Sequence, residues 1–359
     1  MQFSLIGWFA EFLLAVLVAT VPVVALAAAP DAHMAQSLRI EHFDSFPLYD
    51  GSRKKDLLCR ITIPEGAQRP CPVVIFSHGA LGSKNNYEYV VDYWASQGYV
   101  CIQPSHDDSL TKVEPYKRAF YAAHFLRQLP KDASSWTGRA RDITFIIDSL
   151  PAVQQRIPVQ MDLNEIACGG HSLGAFTTAL IAGAEVPPPA AIRDCSDPRV
   201  KAVIMMSPQG VRPNADKFGF ADEKAWQRLS VPALFMTGTR DRTGFNTVED
   251  RIDGFANCKP GDKYYAVING ASHMTFSGAT NRAFTGYNGN PKSQPLRRYL
   301  ADRLAEKMPE EQGNHQEMLD DICRVSTCFL NAYLKGDKSS KSRLVEPGAF
   351  GPVVDLRAR

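Results

Sequence analysis

Residues Cys168–Phe176 read CGGHSLGAF, and inside them Gly170-His171-Ser172-Leu173-Gly174 is a G-x-S-x-G run. A strand-like run, EIACGG, leads into it, and a helical stretch of small residues, SLGAFTTALIAGA, leads out. A serine on a sharp turn between a buried strand and a helix has its hydroxyl exposed at the top of a sheet, and glycines flank it because backbones crowd there. The five-residue pattern alone also describes an ordinary glycine-rich turn. The strand before it and the helix after it make Ser172 a candidate nucleophile.

A serine hydroxyl reacts only with a base in reach, a group that orients the base, and donors for the developing oxyanion. Where serine sits on such a turn, the acid follows it in the chain and the base follows the acid. After Ser172 only His273 and His315 remain. His315 lies in the charged segment PEEQGNHQEM with no strand before it and reads as a surface residue. His273 follows the strand-like KYYAVING, in the loop GASHMTF, and is the candidate base. Asp241, just beyond the apolar run VPALFMTGT, is the candidate acid. Asp194 and Asp197 precede a strand and belong at the wrong end of a sheet, while Asp222, Glu223, Glu249, Asp250 and Asp253 fit solvated helix faces.

The oxyanion needs two backbone donors. Leu173 supplies one N–H at the start of a helix, where such groups lack partners. The second is expected from Ala80, in FSHGALG (Phe76–Gly82) after an earlier strand. The side chain of His78 is expected to bond nearby backbone. His106, Asp107 and Asp108, in SHDDS, end another strand close by and fit a structural hydrogen-bond network better than catalysis.

Working outward, strand-like and helical runs alternate: SLRIEHF, LLCRITIP, CPVVIFSHG, the helical NYEYVVDYWASQG, YVCIQP, the helical RARDITFIIDSLPAV, the turn above, then VKAVIMMSP, VPALFMTGT and KYYAVING, and a closing amphipathic helix in MLDDICRVSTCFLNAYLKGD. Buried strands separated by helices mean an α/β fold: a mostly parallel central sheet with helices on both faces. No internal repeat or low-complexity linker divides the chain. We read residues 1–27 as a signal peptide, 36–335 as one α/β domain and 336–359 as a polar surface tail. Two longer segments, Ser105–Gly138 and Pro208–Ser230, follow strand C-termini and are candidate walls of a substrate cleft.

The 359 residues are 45% hydrophobic and 22% charged, with a formal net charge of +2. No long basic tract or arginine–aromatic interleaving supports nucleic-acid binding. Leu13–Pro30 is apolar, and Ala25-Leu26-Ala27 fits a small-residue cleavage site, so the protein is expected to be secreted or periplasmic. The first residues lack Lys or Arg and the apolar run is nearly long enough to span a bilayer, which leaves an uncleaved anchor as the alternative. Export permits disulfides among the eight cysteines. Cys195 with Cys258 is a possible pair, with Cys59–Cys71 and Cys323–Cys328 weaker ones, whereas Cys101 and Cys168 sit in strands and read as buried thiols. No spacing matches a zinc signature, and neither metal nor cofactor is expected.

The motifs VVIFSHGALGS, WASQGYVCIQPSHDDS, RARDITFIIDSL, GGHSLGAF, TGTRD, INGASHMTFSG and FLNAYLKGD resemble the α/β-hydrolase superfamily over about Leu38–Lys335. Within it they resemble bacterial predicted dienelactone hydrolases and platelet-activating-factor acetylhydrolases. The resemblance implies Ser172, Asp241 and His273 as a triad, with the Ala80 and Leu173 N–H groups as oxyanion hole. Dienelactone hydrolases proper use cysteine where this chain has Ser172. Plasma-type acetylhydrolases place the acid after the preceding strand, near Ser207 here, where no carboxylate stands; Asp241 matches polyester-cleaving cutinase-like enzymes instead. The expectation is a serine esterase acting on a small-molecule, lipid or polymer ester. The alternatives are a thioesterase, a phospholipid acetylhydrolase or a polyester hydrolase with the same triad, or a hydrolase-like binding protein without activity.

Overall fold

The computed structural model describes residues 37–212, 217–279 and 308–359; the expected signal segment lies outside them. Among the described residues no helix is long and apolar enough to cross a membrane. Among the described residues nine strands form one sheet: β1 (Ile40–Asp50), β2 (Lys55–Pro64), β3 (Cys71–Ser77), β4 (Val100–Pro104), β5 (Met161–His171), β6 (Val200–Met206), β7 (Ala233–Arg240), β8 (Lys263–Ser272) and β9 (Val354–Ala358). Their spatial order is β1-β2-β4-β3-β5-β6-β7-β8-β9. The run from β4 through β8 is parallel, while β1, β2 and β9 pair antiparallel at the flanks. This is the mostly parallel sheet flanked by helices that the apolar strand runs predict.

Alternation along the strands sorts side chains to two faces. Val73 and Ile75 of β3, Cys168 of β5, and Val203 and Met205 of β6 join one core. Into it pack α3 (Ala133–Gln154), through Ile143, Ile146, Ile147 and Leu150, and α4 (Leu173–Ile181), through Phe176, Ala179 and Leu180. Val74, Phe76, Ala202, Ile204, Leu234 and Met236 face the other way. There they meet Val90, Val91 and Trp94 of α1 (Glu88–Ser96), and Ile322, Val325, Phe329 and Leu330 of the closing helix His315–Leu334. Because both faces are covered, β3, β6 and the first half of β7 (Ala233–Met236) are apolar in nearly every residue rather than in alternate ones.

The two long segments differ. Ser105–Gly138 carries two short 3-10 turns and the helix α2 (Arg118–Gln128) before α3 begins. The described part of Pro208–Ser230 sends Phe218, Phe220 and Trp226 inward against Phe176 and Phe235, so this segment is core as much as surface.

Two expectations are corrected. The stretch after Lys335 stays mostly at the surface but is not an irregular tail: residues Lys338–Arg343 form a helix, Leu344 and Phe350 are buried, and β9 extends the sheet along β8. Its polar composition hid this because an edge strand buries only a few of its side chains. No disulfide forms at any of the eight cysteines. Cys258 is buried with its thiol on the Phe255 carbonyl, and Cys195 is half-buried. Cys59 and Cys71 lie on different strands, their thiols bonding the Leu57 and Arg69 carbonyls.

Trp226 is fully buried, its ring centroid 4.2 Å from that of Phe220 and 6.0 Å from that of Phe235. Trp226→Ala should cost about 3–5 kcal/mol through lost burial and the cavity left behind. Urea unfolding measures this as a lower midpoint at unchanged slope.

Candidate active site

Parallel strands β5, β7 and β8 end at the same edge of the sheet, and each delivers one polar side chain there. β5 runs into Ser172, whose backbone has φ 54° and ψ −119°, a conformation rare for a residue with a side chain. Holding it costs about 1–3 kcal/mol, supplied by the surroundings. The Ser172 N–H donates to the Met206 carbonyl at 2.9 Å, and α4 begins at the next residue. The flanking glycines are required by contact. A Cβ on Gly174 would lie 1.9 Å from the Ser77 carbonyl oxygen, and one on Gly170 would lie 2.4 Å from that of Gly174.

His273 follows β8 and Asp241 follows β7. The His273 Nε2 is 3.0 Å from Ser172 Oγ, and its Nδ1 is 2.8 Å from Asp241 Oδ1. Asp241 is fully buried and accepts the Thr237 hydroxyl on its other oxygen at 2.9 Å. Burial alone would raise the Asp241 pKa; the Arg251 guanidinium, 3.2 Å away, and His273 reverse this and hold it well below the usual carboxylate range. Burial lowers the His273 pKa, Asp241 opposes the fall, and Arg251 adds to it. At neutral pH the imidazole is therefore an unprotonated base beside an ionised carboxylate. The remaining carboxylates stand elsewhere: Asp194 pairs with Arg228, Asp197 with Arg199, and Asp222 caps a 3-10 turn.

The loop after β3 comes close to this serine because Gly174 admits the Ser77 and His78 carbonyls. As first residue of α4, Leu173 has no helical acceptor for its N–H. Gly79 N–H donates to the Tyr87 hydroxyl at 2.8 Å, and that hydroxyl lies 2.9 Å from His171 Nδ1. His171 Nε2 reaches the His273 carbonyl at 3.0 Å. Burial, then the neighbouring His273, push the His171 pKa well down. A neutral His171 that donates from Nε2 and accepts at Nδ1 satisfies every partner, and it ties the loop of residues 78–81 to the loop of His273. On the other side, Arg139 of α3 holds Asp108 at 3.0 and 2.8 Å and donates to the His78 carbonyl at 2.6 Å. Asp108 in turn accepts the Leu81 N–H at 2.8 Å. His78 meets the expectation of a backbone-bonding residue: Nδ1 lies 2.6 Å from the Gly79 carbonyl and Nε2 accepts the His106 N–H.

A second Ser–His–Asp chain lies beneath. Ser77 Oγ is 2.9 Å from His106 Nε2, and His106 Nδ1 is 2.8 Å from Asp142 Oδ2. Asp142 also takes Arg53 at 2.7 Å and Lys55 at 2.8 Å. Ser77, His106 and Asp142 are each at most 1% exposed. Ser77 is the last residue of the extended strand β3, in register with Gly170, whereas Ser172 sits on the strained turn and is partly open to solvent. The two chains share bond geometry and differ in access.

Sequence reasoning placed His106 and Asp108 in a structural hydrogen-bond network, where they stand, but did not single out Arg251, Arg139, Thr237 or Tyr87, nor Ser77 and Asp142 as the partners of His106. Arg251 stands in the polar stretch VEDRID, which looks like a solvated turn, yet it is fully buried. The RARD run in α3 held the one available signal: two charged residues, Arg139 and Asp142, on the helix's apolar side beside Ile143 and Ile146. No group of His, Cys, Asp or Glu among the described residues could hold a metal ion.

Sheet order, elbow and Ser–His–Asp geometry together define the α/β-hydrolase fold. No protein-family model matches the chain. It is similar to "Cutinase est2" of Thermobifida alba, 25% identical over 215 residues, which cover 60% of this chain and 56% of that protein. The chain thus spans little more than half the length of that curated relative. Among solved structures it is similar to a ferulic acid esterase from Streptomyces cinnamoneus, with a TM-score of 0.59 and 17% identity, covering 92% of this chain and 98% of that one. The likeness places the fold beside those of bacterial esterases at low identity.

Stability should fall in two stages on acidification. His78, His106, His171 and His273 have pKa values lowered mainly by burial, so below about pH 6.5 the unfolded chain binds protons that the folded one refuses. Burial alone would raise Asp108, Asp142 and Asp241, but Arg139 beside Asp108, the His106 hydrogen bond and Lys55 at Asp142, and Arg251 beside Asp241 hold them below their ordinary range. Their contribution is present above about pH 4 and is lost as pH falls further. Urea midpoints should drop first between pH 7 and 5 and again below pH 4; a flat midpoint between 7 and 5 contradicts the first stage.

Proposed function

We propose that this protein is an exported serine hydrolase that cleaves carboxylic esters through Ser172, His273 and Asp241. The observation that carries the reading is His273 bridging a strained, partly exposed serine at 3.0 Å and a buried carboxylate at 2.8 Å. Ser77 carries the same bonds but is sealed inside the sheet, where no ester carbonyl can approach it.

In the first step His273 Nε2 takes the Ser172 proton as Oγ attacks the ester carbonyl. The oxyanion of the tetrahedral intermediate receives the N–H groups of Ala80 and Leu173. His273 then gives its proton to the departing alcohol, leaving an acyl-serine. Water, deprotonated by the same imidazole, releases the acid. Asp241 keeps the Nδ1 proton in place and stabilises the imidazolium. Loss of one oxyanion donor costs about 10²–10³ in rate. The bonds from Asp108 and Tyr87 hold the Ala80 loop ready before substrate binds.

Likeness to dienelactone hydrolases and platelet-activating-factor acetylhydrolases supports an acyl-ester substrate. The serine nucleophile separates this chain from the first group, and Ser207 at the end of β6 separates it from the second. Thioester, phospholipid and polyester substrates would use the same side chains. The strained Ser172, held within hydrogen-bond distance of His273, speaks against an inactive binding protein. The apolar segment Leu13–Pro30 supports a secreted or periplasmic location.

A fluorophosphonate probe should label the wild type and Ser77→Ala but not Ser172→Ala, and Ser172→Ala should lose about 10⁴–10⁶ in ester turnover. Labelling lost in Ser77→Ala and kept in Ser172→Ala would move the nucleophile to the inner chain. On p-nitrophenyl esters from acetyl to palmitoyl, kcat/KM should be highest for the short acyl groups.

A further inference from the structure

Arg251 lies in the 3-10 turn Glu249–Ile252 and is fully buried. Its guanidinium faces the acid and the base at once. Nη2 is 3.2 Å from Asp241 Oδ1 and 3.4 Å from His273 Nδ1. That carboxylate oxygen is the one His273 uses, so cation and imidazole share a single acceptor. Nη1 donates to the Pro208 carbonyl at 2.7 Å and the Ser207 carbonyl at 3.2 Å, and Nε donates to the Asp241 carbonyl at 3.3 Å. One side chain thus joins the ends of β6 and β7 behind the base.

We propose that Arg251 is a positioning residue that fixes Asp241 against His273 and sets the pH at which the base becomes available. The proposal rests on the Ser172–His273–Asp241 reading. The groups facing His273 are Asp241 from the end of β7, Arg251 from the turn, and His171 from the end of β5, its ring centroid 4.6 Å away. Tyr265 of β8 is the further titratable group near Asp241 and Arg251. His171 is neutral and Tyr265 is protonated at working pH, so Arg251 is the one cation among these groups. It does two things. It lets a fully buried Asp241 stay ionised, and it opposes protonation of the adjacent imidazole. Without it, Asp241 and His273 would together hold a proton to higher pH, and Asp241 would lose an anchor for its angle to the ring.

The test is the pH dependence of kcat/KM for p-nitrophenyl acetate from pH 5 to 9, whose acid limb reports the free base. In Arg251→Met the limb should move up by about one pH unit or more, the effect of removing a charge at this distance. kcat should fall about 10–100-fold at pH 7 with KM changed less than about threefold. Arg251→Lys keeps the charge but loses the fork: its limb should stay near that of the wild type while kcat falls. A folded Arg251→Met with its limb unmoved overturns the proposal, as does a limb in Arg251→Lys displaced as far as in Arg251→Met. Should Arg251→Met not fold, Arg251→Gln carries the same expectation. If neither neutral variant folds while Arg251→Lys does, the side chain is only a structural pin and the proposal falls. Absence of turnover and labelling in the wild type would instead defeat the ester reading. His273 titration followed by imidazole NMR in wild type and Arg251→Met then decides the present point alone.

Discussion

The site depends on one close approach: the Ser77 carbonyl lies so near Gly174 that no side chain fits between them. This contact presses the end of β3 onto the start of α4. It brings the loop that carries Ala80 beside the first N–H of the helix. It also fixes the exit of the elbow, so that Ser172 keeps a backbone shape it would leave if free. A larger residue at position 174 would separate the loop from the helix and relax the serine together, because both result from the same packing.

Around that contact the protein buries charge to an unusual degree. Arg139 with Asp108, Arg251 with Asp241, and Asp142 with Arg53 and Lys55 each take ions out of water, which is costly unless every lone pair and N–H finds a partner. Here the leftover donors are turned onto backbone carbonyls: His78 and Gly79 for Arg139, Ser207 and Pro208 for Arg251. The ion pairs therefore act on loops more than on each other. They hold the segments after β3, β6 and β7 at the edge where Ser172 and His273 meet. This arrangement favours rigid geometry over stability, since apolar residues in the same volume would cost less to bury.

The sheet was legible because buried parallel strands are apolar along their length, and the elbow because glycines mark it on both sides. The spacing of Ser172, Asp241 and His273 relative to strand ends singled out three side chains that the structure places within hydrogen-bond distance. What stayed hidden shares one physical cause. Arg251, Arg139 and Tyr87 act through burial, and a charged residue in VEDRID or RARD carries no mark of burial in its own sequence. The last strand was hidden for the opposite reason: VDLRA is short, stands among polar residues and buries little, so its brief alternation of apolar and polar side chains is easily passed over. The cysteines followed composition rather than compartment, lying in the core as small apolar groups.

That last strand has a bearing on how the molecule is assembled. β8 leads into His273 at its tip, and its outer side pairs with β9 (Val354–Ala358), which comes far later in the chain. Until β9 is made, the strand that leads to the imidazole is an open template that any extended peptide can join. Nascent chains stalled between these two stretches would leave this edge bare. Synthesis order thus makes the interval before closure the period of greatest risk of aggregation.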